Sequence, residues 1–485
     1  MRIILISVPL AMLALVTTGC STPPPVAMKT DELPKAYTAP ALAGAQKELS
    51  TEWWKSFASP ELTSLTEAAG TGNLDLAMAA ARVLQAQAQT GQAMSALFPS
   101  VDLNGSARRQ GSRNPGPTFN TFGASLSASY ELDFWGLAQD NLRSARNSAR
   151  AAIYARDVVA LTTSANVANT YFAVLSLRER IAISKKNIEA AKRILAITQA
   201  KVTNGVSSNL ELAQQTAILA GVEAQIPALE EQERETRYAL AILLGRIPEG
   251  FDVDANTLEG IVAPPVEPGL PSTLLQRRPD IAEAEAQLFA AHANLDAARA
   301  AFLPAIGLTG NDGYSAAQIA SLISPSNLAW SIGASLLQTI FDGGRLTSQR
   351  DYAKAQEIQL VASYRSAVLN ALSDVETALG SGSSLAERER LTQEQVDNAA
   401  EAFRISELQY REGVVDLLTV LQAQQTLFSS QDTLVQVKLA RLQAGVGLYR
   451  ALGGGWTVTA DADTPTRNDF VPVPDFTDLP IGNPF

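Results

Sequence analysis

Two hydrophobic periods run along this chain. Between residues 101 and 108, Val101, Leu103, Gly105 and Ala107 alternate with Asp102, Asn104, Ser106 and Arg108. Between 122 and 134, Phe122, Ala124, Leu126, Ala128, Tyr130, Leu132 and Phe134 alternate with Gly123, Ser125, Ser127, Ser129, Glu131 and Asp133. A period of two over such lengths predicts strands with one apolar and one wet face. The device returns weakly at Ile306 and Leu308, and cleanly at Leu328, Trp330, Ile332, Ala334 and Leu336. Turn-rich stretches from Gln110 to Asn120 and from Gly313 to Asn327 join the members of each pair, so hairpins are expected at about 99–135 and 304–341. The second period is helical. No proline occurs from Leu137 to Val202, where Ala, Leu, Ser, Arg and Glu dominate; at the usual helical rise a continuous run of this length would extend roughly 100 Å. The corresponding later tract, from about Leu346 to Tyr410, is expected to be interrupted at Gly380-Ser381-Gly382-Ser383-Ser384. Returning helices are expected from about Asn209 to Leu244 and from Asp416 to Leu452. Asn204-Gly205 and Gly413 suit left-handed C-terminal caps, and Asn209 and Asp416 suit N-caps.

These elements occur twice. Leu97-Phe98-Pro99 answers Phe302-Leu303-Pro304 at an offset of 205 (304 less 99), and Phe134-Trp135-Gly136 answers Phe341-Asp342-Gly343 at 207 (341 less 134). Asn204-Gly205-Val206 answers Glu412-Gly413-Val414, and Leu244-Gly245 answers Leu452-Gly453, both at 208 (413 less 205, 453 less 245). The matched points are Gly, Pro and aromatic punctuation rather than the abundant Ala, which favours duplication over chance register. The implied organisation is a signal at 1–19, a tether at 20–50, a first repeat at 51–245, a linker at 246–272, a second repeat at 273–456 and a tail at 457–485.

The N-terminus sets the compartment. Arg2 precedes an apolar run from Ile3 to Val16 and then Thr17-Thr18-Gly19-Cys20, a secretory signal with a small-residue processing site. Cys20 is the only cysteine, so no disulfide forms within the chain. Gly19-Cys20 resembles a bacterial lipobox, with Thr17 where an aliphatic residue is usual, and implies lipidation at Cys20. Ser21, by the same resemblance, directs the lipoprotein to the outer membrane. At 46% hydrophobic the chain can build a large core, yet no later apolar stretch is expected to reach transmembrane-helix length. A net charge of −11 without a basic stripe argues against a nucleic-acid partner.

Chemistry is scarce. The single histidine, His292, sits in an Ala-rich run and is read as packed or solvated. Metal sites and His-dependent nucleophiles lose their usual groups, and no cofactor motif stands out. Gly453-Gly454-Gly455 follows a helix instead of opening one, so it is read as a helix end and not a phosphate cradle. What remains is architecture: each strand run is near the ~10 residues that a tilted strand needs to cross an outer membrane. Four strands cannot close a barrel, and an open edge is not tolerated in lipid, so oligomerisation follows from the strand reading. Two, three or four copies would each give an even-stranded barrel, and spacing alone does not choose.

Trp53-Trp54-Lys55-Ser56-Phe57, Arg277-Arg278-Pro279-Asp280-Ile281 and Ala451-Leu452-Gly453-Gly454-Gly455-Trp456, with the paired hairpins and long helices, resemble outer membrane factors of the TolC-like, NodT-type lipoprotein group over about 50–456. The resemblance implies a mixed α and β membrane protein. Each chain would add four transmembrane strands to a trimeric, twelve-stranded barrel, with long periplasmic helices forming a coiled-coil-like tunnel. It implies a passive exit duct that is not an enzyme, served by a periplasmic adaptor and an inner-membrane pump of the RND type. Arg278-Pro279-Asp280 needs only to be a helix start.

The helix reversals are then the expected mouth. Gly205, Val206, Gly413 and Val414 are the implied adaptor-docking tips. The run from Tyr410 to Gln424 resembles the family's gate segment, with Asp416 capping it and Leu418 as an apolar collar. Thr419 and Gln422 stand where relatives often carry acidic rings, so constriction by size and hydrogen bonding replaces cation binding. Glu211 falls where the family can place a carboxylate bonded to the aromatic hydroxyl at Tyr410, and this pair is the expected latch. Two other readings remain. A periplasmic coiled-coil spacer without channel activity explains the helices and Cys20 but not the four strands. A lipid-anchored cell-wall hydrolase would need two carboxylates that nothing in the sequence singles out.

Overall fold

The computed structural model describes residues 33–39, 50–111, 116–264 and 266–456; the signal, Cys20, most of the tether and the tail lie outside the described residues. A short 3₁₀ turn, Trp53–Phe57, precedes α1 (Pro60–Gly72) and α2 (Leu74–Ser95), and the first hairpin follows as β1 (Ser100–Gln110) and β2 (Phe119–Leu132). Then come α3 (Leu137–Thr203), α4 (Asn209–Glu223) and α5 (Gln225–Leu243). The second copy repeats the order: α6 (Leu274–Arg277), α7 (Pro279–Ala300), β3 (Ala305–Ala316), β4 (Leu328–Leu337), α8 (Arg345–Arg411) and α9 (Leu417–Ala451). The equivalent helices α3 and α8 are both 67 residues long.

The four strands form one antiparallel sheet in the order β1-β2-β3-β4. The two hairpins are joined through β2 and β3, where Tyr130 faces Leu308 and Ala128 faces Gly310. Register keeps the period-two pattern continuous across both copies. One face carries Leu103, Leu126 and Trp330 in a row, the next row Val101, Ala128 and Ile332, and a further row Leu132, Ile306 and Leu336. Asp312, between Leu126 and Trp330, is the exception on that face. The other face carries Asp102, Ser127, Asn311 and Ser331 in one row, and Ser100, Ser129, Thr309 and Gly333 in another. β3 continues through Ala316, so the expected turn from Gly313 begins four residues later. Among the described residues β1 and β4 have no strand on their outer edges.

The chain divides into two compact units, each drawing on both copies. One is built on Arg82–Ile153 and Glu283–Ser366 and holds the sheet. In it the Trp135 indole donates to the Pro304 carbonyl (2.7 Å), tying the aromatic motif of one copy to the proline of the other. Asp133 and Asp342 play equivalent parts at the long helices' starts. Asp133 accepts from the amides of Ala138 and Gln139, and Asp342 from those of Gly344 and Leu346. His292 is buried against Glu357 (2.6 Å), as a packed histidine.

The second unit is built on Tyr154–Ala282 and the residues from Ala367. Its core stacks Trp53 on Tyr449 and packs Phe57 against Phe172, with ring centroids 5.4 Å apart in both pairs. The N-terminal residues Thr38 and Ala39 donate both backbone amides to the Glu376 carboxylate. α3 has one window apolar enough to pass for a membrane span, contrary to the expectation that none would follow the signal. Its Val167, Ala168, Phe172, Val174 and Leu175 are instead wholly buried in this core.

Two expected features are corrected. α8 runs unbroken through Gly380-Ser381-Gly382, because Val368, Ala371, Val375 and Leu379 form a buried stripe at helical spacing that outweighs the ~1 kcal/mol propensity cost of each glycine. The helix returning from the first reversal is not continuous to Leu244: it breaks at Ala224, because Pro227 has no amide for the Glu223 carbonyl.

The duplication also shows in one backbone contact made twice. Gly245 (φ +66°) has its Cα against the Gly72 carbonyl, and Gly453 (φ +88°) has its Cα against the Arg277 carbonyl. Asn73 donates its side-chain amide to Leu243 O (2.8 Å), and Arg278 donates its guanidinium to Ala451 O (3.0 Å), in each case the last helical residue, two before the capping glycine. Arg278 also grips Asp280 and Asp374 (2.7 and 3.0 Å), so the Arg-Pro-Asp motif is a helix start and an inter-helix clamp. A Cβ at Gly245 or Gly453 would collide with backbone carbonyl, whereas Gly205 and Gly413 face open space. Gly245→Ala and Gly453→Ala should each cost about 3 kcal/mol or more from left-handed strain plus overpacking, and Gly205→Ala or Gly413→Ala about 1 kcal/mol. Thermal unfolding of the four variants checks this; equal losses in both pairs would refute the close approach.

Candidate functional site

The two helix reversals are built alike. At the end of α3 the amide of Val206 donates to Lys201 O (2.8 Å) and that of Gly205 to Val202 O (3.0 Å); at the end of α8 Val414 donates to Gln409 O (2.8 Å) and Gly413 to Tyr410 O (3.1 Å). This is the Schellman pattern, and it needs the left-handed residue that Gly205 (φ +71°) and Gly413 (φ +76°) supply. Val206, Leu210, Val414 and Leu418 stand exposed around the turns, an apolar display on an otherwise polar tip.

The returning helices are capped differently. Asp416 caps α9, accepting from the Thr419 amide (2.9 Å) and hydroxyl (2.7 Å). At α4 the cap is Ser208, whose hydroxyl accepts from the Glu211 amide (3.3 Å), and not Asn209, which is the first helical residue. Glu211 sits at the third helical position, and its carboxylate accepts from the Ser207 hydroxyl. Within this chain the Glu211 carboxylate meets Ser207 and not Tyr410, so the expected latch is not formed here.

Tyr410 is buried, and its hydroxyl lies 3.1 Å from the Thr198 hydroxyl, which already donates to Ile194 O (2.9 Å). The tyrosine is therefore the donor to Thr198. The Lys201 ammonium lies 4.1 Å from the Tyr410 ring centre and donates to the Tyr410 carbonyl. Within one chain, then, Tyr410 is held by Thr198 and Lys201 of α3. Around it Ile194, Phe403, Leu417, Val420, Leu421 and Leu427 make a small apolar core joining α3, α8 and α9.

Leu418, Thr419 and Gln422 share the exposed face of α9, while Leu417, Val420, Leu421 and Gln424 share its buried face. Thr419 spends its hydroxyl on Asp416, which leaves Gln422 as the polar side chain of that set facing outward. Gln215 and Gln424 are fully buried near this core. Gln215 donates to Ala191 O (2.9 Å), whereas neither amide atom of Gln424 has a partner among the described residues. Sequence reading missed Thr198 and Lys201, and named Gln424 only as the end of the gate-like run without its burial; a lysine in a helix's last turn before Asn-Gly was the one available signal.

Asp416 titrates below the usual range, because the Thr419 hydroxyl and then its amide bond the carboxylate. A depressed pKa stabilises the folded tip above the unfolded value and loses that contribution as pH falls through the folded one. Protection of the Thr419 amide, measured against its intrinsic exchange rate at each pH, should therefore be high at neutral pH and fall once pH drops below the ordinary aspartate range, about 3.9. In Asp416→Ala that protection should be low throughout; protection independent of both would dismiss the cap.

Comparison with known proteins gives the following. The sequence model described as outer membrane efflux protein matches residues 65–246 and again 270–454, one match for each copy. The chain is 41% identical over 416 residues to the pyoverdine export outer membrane protein OpmQ of Pseudomonas aeruginosa, covering 84% of this chain and 87% of that one. It is 29% identical to the cation efflux system protein CusC of Escherichia coli K12, covering 91% and 98%. The solved structure of the outer-membrane channel OprN superposes with a TM-score of 0.81 at 30% identity, covering 87% of this chain and 98% of OprN.

Proposed function

This chain belongs to the outer membrane efflux protein family, and we propose that it is the exit duct of a tripartite efflux system. Three copies would close a twelve-stranded barrel, and an inner-membrane pump, of the RND type, would pass cargo through a periplasmic adaptor into a helical tunnel. The supporting observation is the sheet. Its two faces separate apolar from polar rows across both hairpins, and among the described residues neither outer edge has a strand beside it. A spacer lipoprotein leaves that sheet without a role.

On this reading Cys20 carries the lipid that fixes the chain to the outer membrane, and the helix reversals are the periplasmic mouth. Gly205, Val206, Gly413 and Val414 receive the adaptor, with Leu210 and Leu418 beside them. Gly205 and Gly413 leave room for a partner's backbone, because nothing lies within 4 Å of where a Cβ would stand. Leu418, Thr419 and Gln422 present a neutral constriction, so the mouth sieves by size more than by charge. Passage is passive, and the pump supplies energy and most of the choice of cargo. OpmQ exports pyoverdine by name, which makes pyoverdine the first cargo to assay.

Purified chain in planar bilayers should open discrete channels and run as a heat-modifiable trimer from outer-membrane fractions; absence of both would reject the duct. Gate variants sharpen the claim. Tyr410→Phe or Lys201→Met each removes about 1 kcal/mol per chain from the closed tip, and three copies together shift the closed-to-open balance about a hundredfold. Conductance should rise in both and stay near wild type in Glu211→Ala. The reverse order would restore the Glu211 latch.

A further inference from the structure

Beside the aromatic core of the second unit lies a groove of about 260 Å³, lined by Trp53, Trp54, Leu76, Leu161, Gly454 and Trp456 among others. Asp157 is its one ionisable lining residue and is already engaged. Arg156 donates to one carboxylate oxygen (2.7 Å) and the Trp456 indole to the other (3.0 Å). The groove is therefore electrically quiet. Trp54 adds an unmet demand: its indole N–H is buried and has no acceptor among the described residues. An orphaned donor of that kind costs about 1–3 kcal/mol until something accepts from it.

The chemistry selects the occupant. A neutral aromatic groove with a spare indole donor fits a proline-spaced apolar peptide, whose prolines pack on aromatic faces and whose carbonyls accept hydrogen bonds. The volume falls below the 300–1,000 Å³ or so of small-molecule sites. The sequence holds such a peptide. After Trp456, at the groove's own edge, the chain continues into residues 457–485, which lie outside the described residues. They include Phe470-Val471-Pro472-Val473-Pro474, five uncharged residues between Asp469 and Asp475. The 14 residues from Trp456 to Phe470 reach up to about 45 Å when extended, ample to bring that segment back to the groove.

We propose that this groove is a peptide-binding site, occupied in cis by the chain's own Phe470–Pro474 segment, with the Trp54 indole donating to one of its carbonyls. Nothing in the proposal depends on conduction. It predicts that the groove becomes available to other proline-spaced peptides when the tail is withdrawn.

The test keeps the full chain. A fluorescein-labelled peptide of residues 468–478 is titrated by anisotropy against wild type and against the double variant Phe470→Ser, Phe476→Ser. The tethered segment competes at an effective concentration near millimolar, so wild type should bind the added peptide at least about a hundredfold more weakly than the variant. Adding Trp54→Phe to the variant should weaken binding about tenfold, the worth of one hydrogen bond. Equal binding to wild type and variant, no binding to either, or no effect of Trp54→Phe would each overturn the proposal. Intact chain carrying Thr51→Cys and Val473→Cys gives an independent measure with a short bis-maleimide. A link within one polypeptide is expected; a link between polypeptides, which would put a second copy in the groove, or no link at all refutes it.

Discussion

A backbone amide that enters hydrocarbon must find its acceptor inside protein, because lipid offers none. The sheet meets that demand internally along β1–β2, β2–β3 and β3–β4, and leaves it open along the outer edges of β1 and β4. Both edge strands expose large apolar side chains, Leu103 on β1 and Trp330 and Ile332 on β4, which water would not tolerate as a broad patch. Among the described residues the same two strands thus lack partners on their outer edges for backbone and side chains alike. In the proposed duct, copies of the chain would satisfy both at once, pairing β4 of one with β1 of the next, and the demand would recur at each new edge until a ring closed.

Duplication makes this economical, since one hairpin design serves twice and the β2–β3 seam joins the copies. The repeated glycine contact does comparable work away from the sheet. Gly245 on Gly72 and Gly453 on Arg277 bring backbones together where no side chain fits. Beside each, a polar side chain closes the last open carbonyl. Asn73 does so as a neutral amide, while Arg278 brings a charge and must then be balanced by Asp280 and Asp374. The second copy therefore holds a buried guanidinium against two partly exposed carboxylates where the first needs only one hydrogen bond. Such a cluster is weak evidence of extra stability, since desolvation offsets much of its attraction; its effect is to fix which helices meet.

Much of this was legible in the sequence, for reasons that differ by element. Strand alternation is a local signal, so Val101 to Arg108 and Leu328 to Leu336 could be assigned directly, whereas the pairing of β2 with β3 depends on residues about 180 positions apart. Glycine at 380 and 382 misled because intrinsic propensity is a weak prior against a buried stripe of Val368, Ala371, Val375 and Leu379. The capped turns at Gly205 and Gly413 were readable because φ above zero selects glycine. Partner choice was not. Glu211 is held by Ser207, two residues before its own helix begins, and Tyr410 is taken by α3, which depends on the relative phase of helices that no local pattern records.

The tip that results is balanced rather than locked. Lys201 belongs to the last turn of α3 and donates to a carbonyl in the last turn of α8, so one ammonium offsets the negative ends of two helix dipoles. Separating the helices would leave one of those ends uncompensated and expose Tyr410. Against this stands Gln424, which buries an amide with neither atom paired among the described residues and so raises the energy of the same packed arrangement. The opposing contributions are each on the order of 1–3 kcal/mol. A near cancellation of that size is what a two-state element requires, because a partner can reverse it only with a differential affinity of comparable magnitude. The copy that carries Tyr410 and Gln424 holds both sides of that balance except for the lysine and threonine lent by the other. Gating, as proposed at this tip, would draw on the divergence between the repeats, while the sheet draws on what they share.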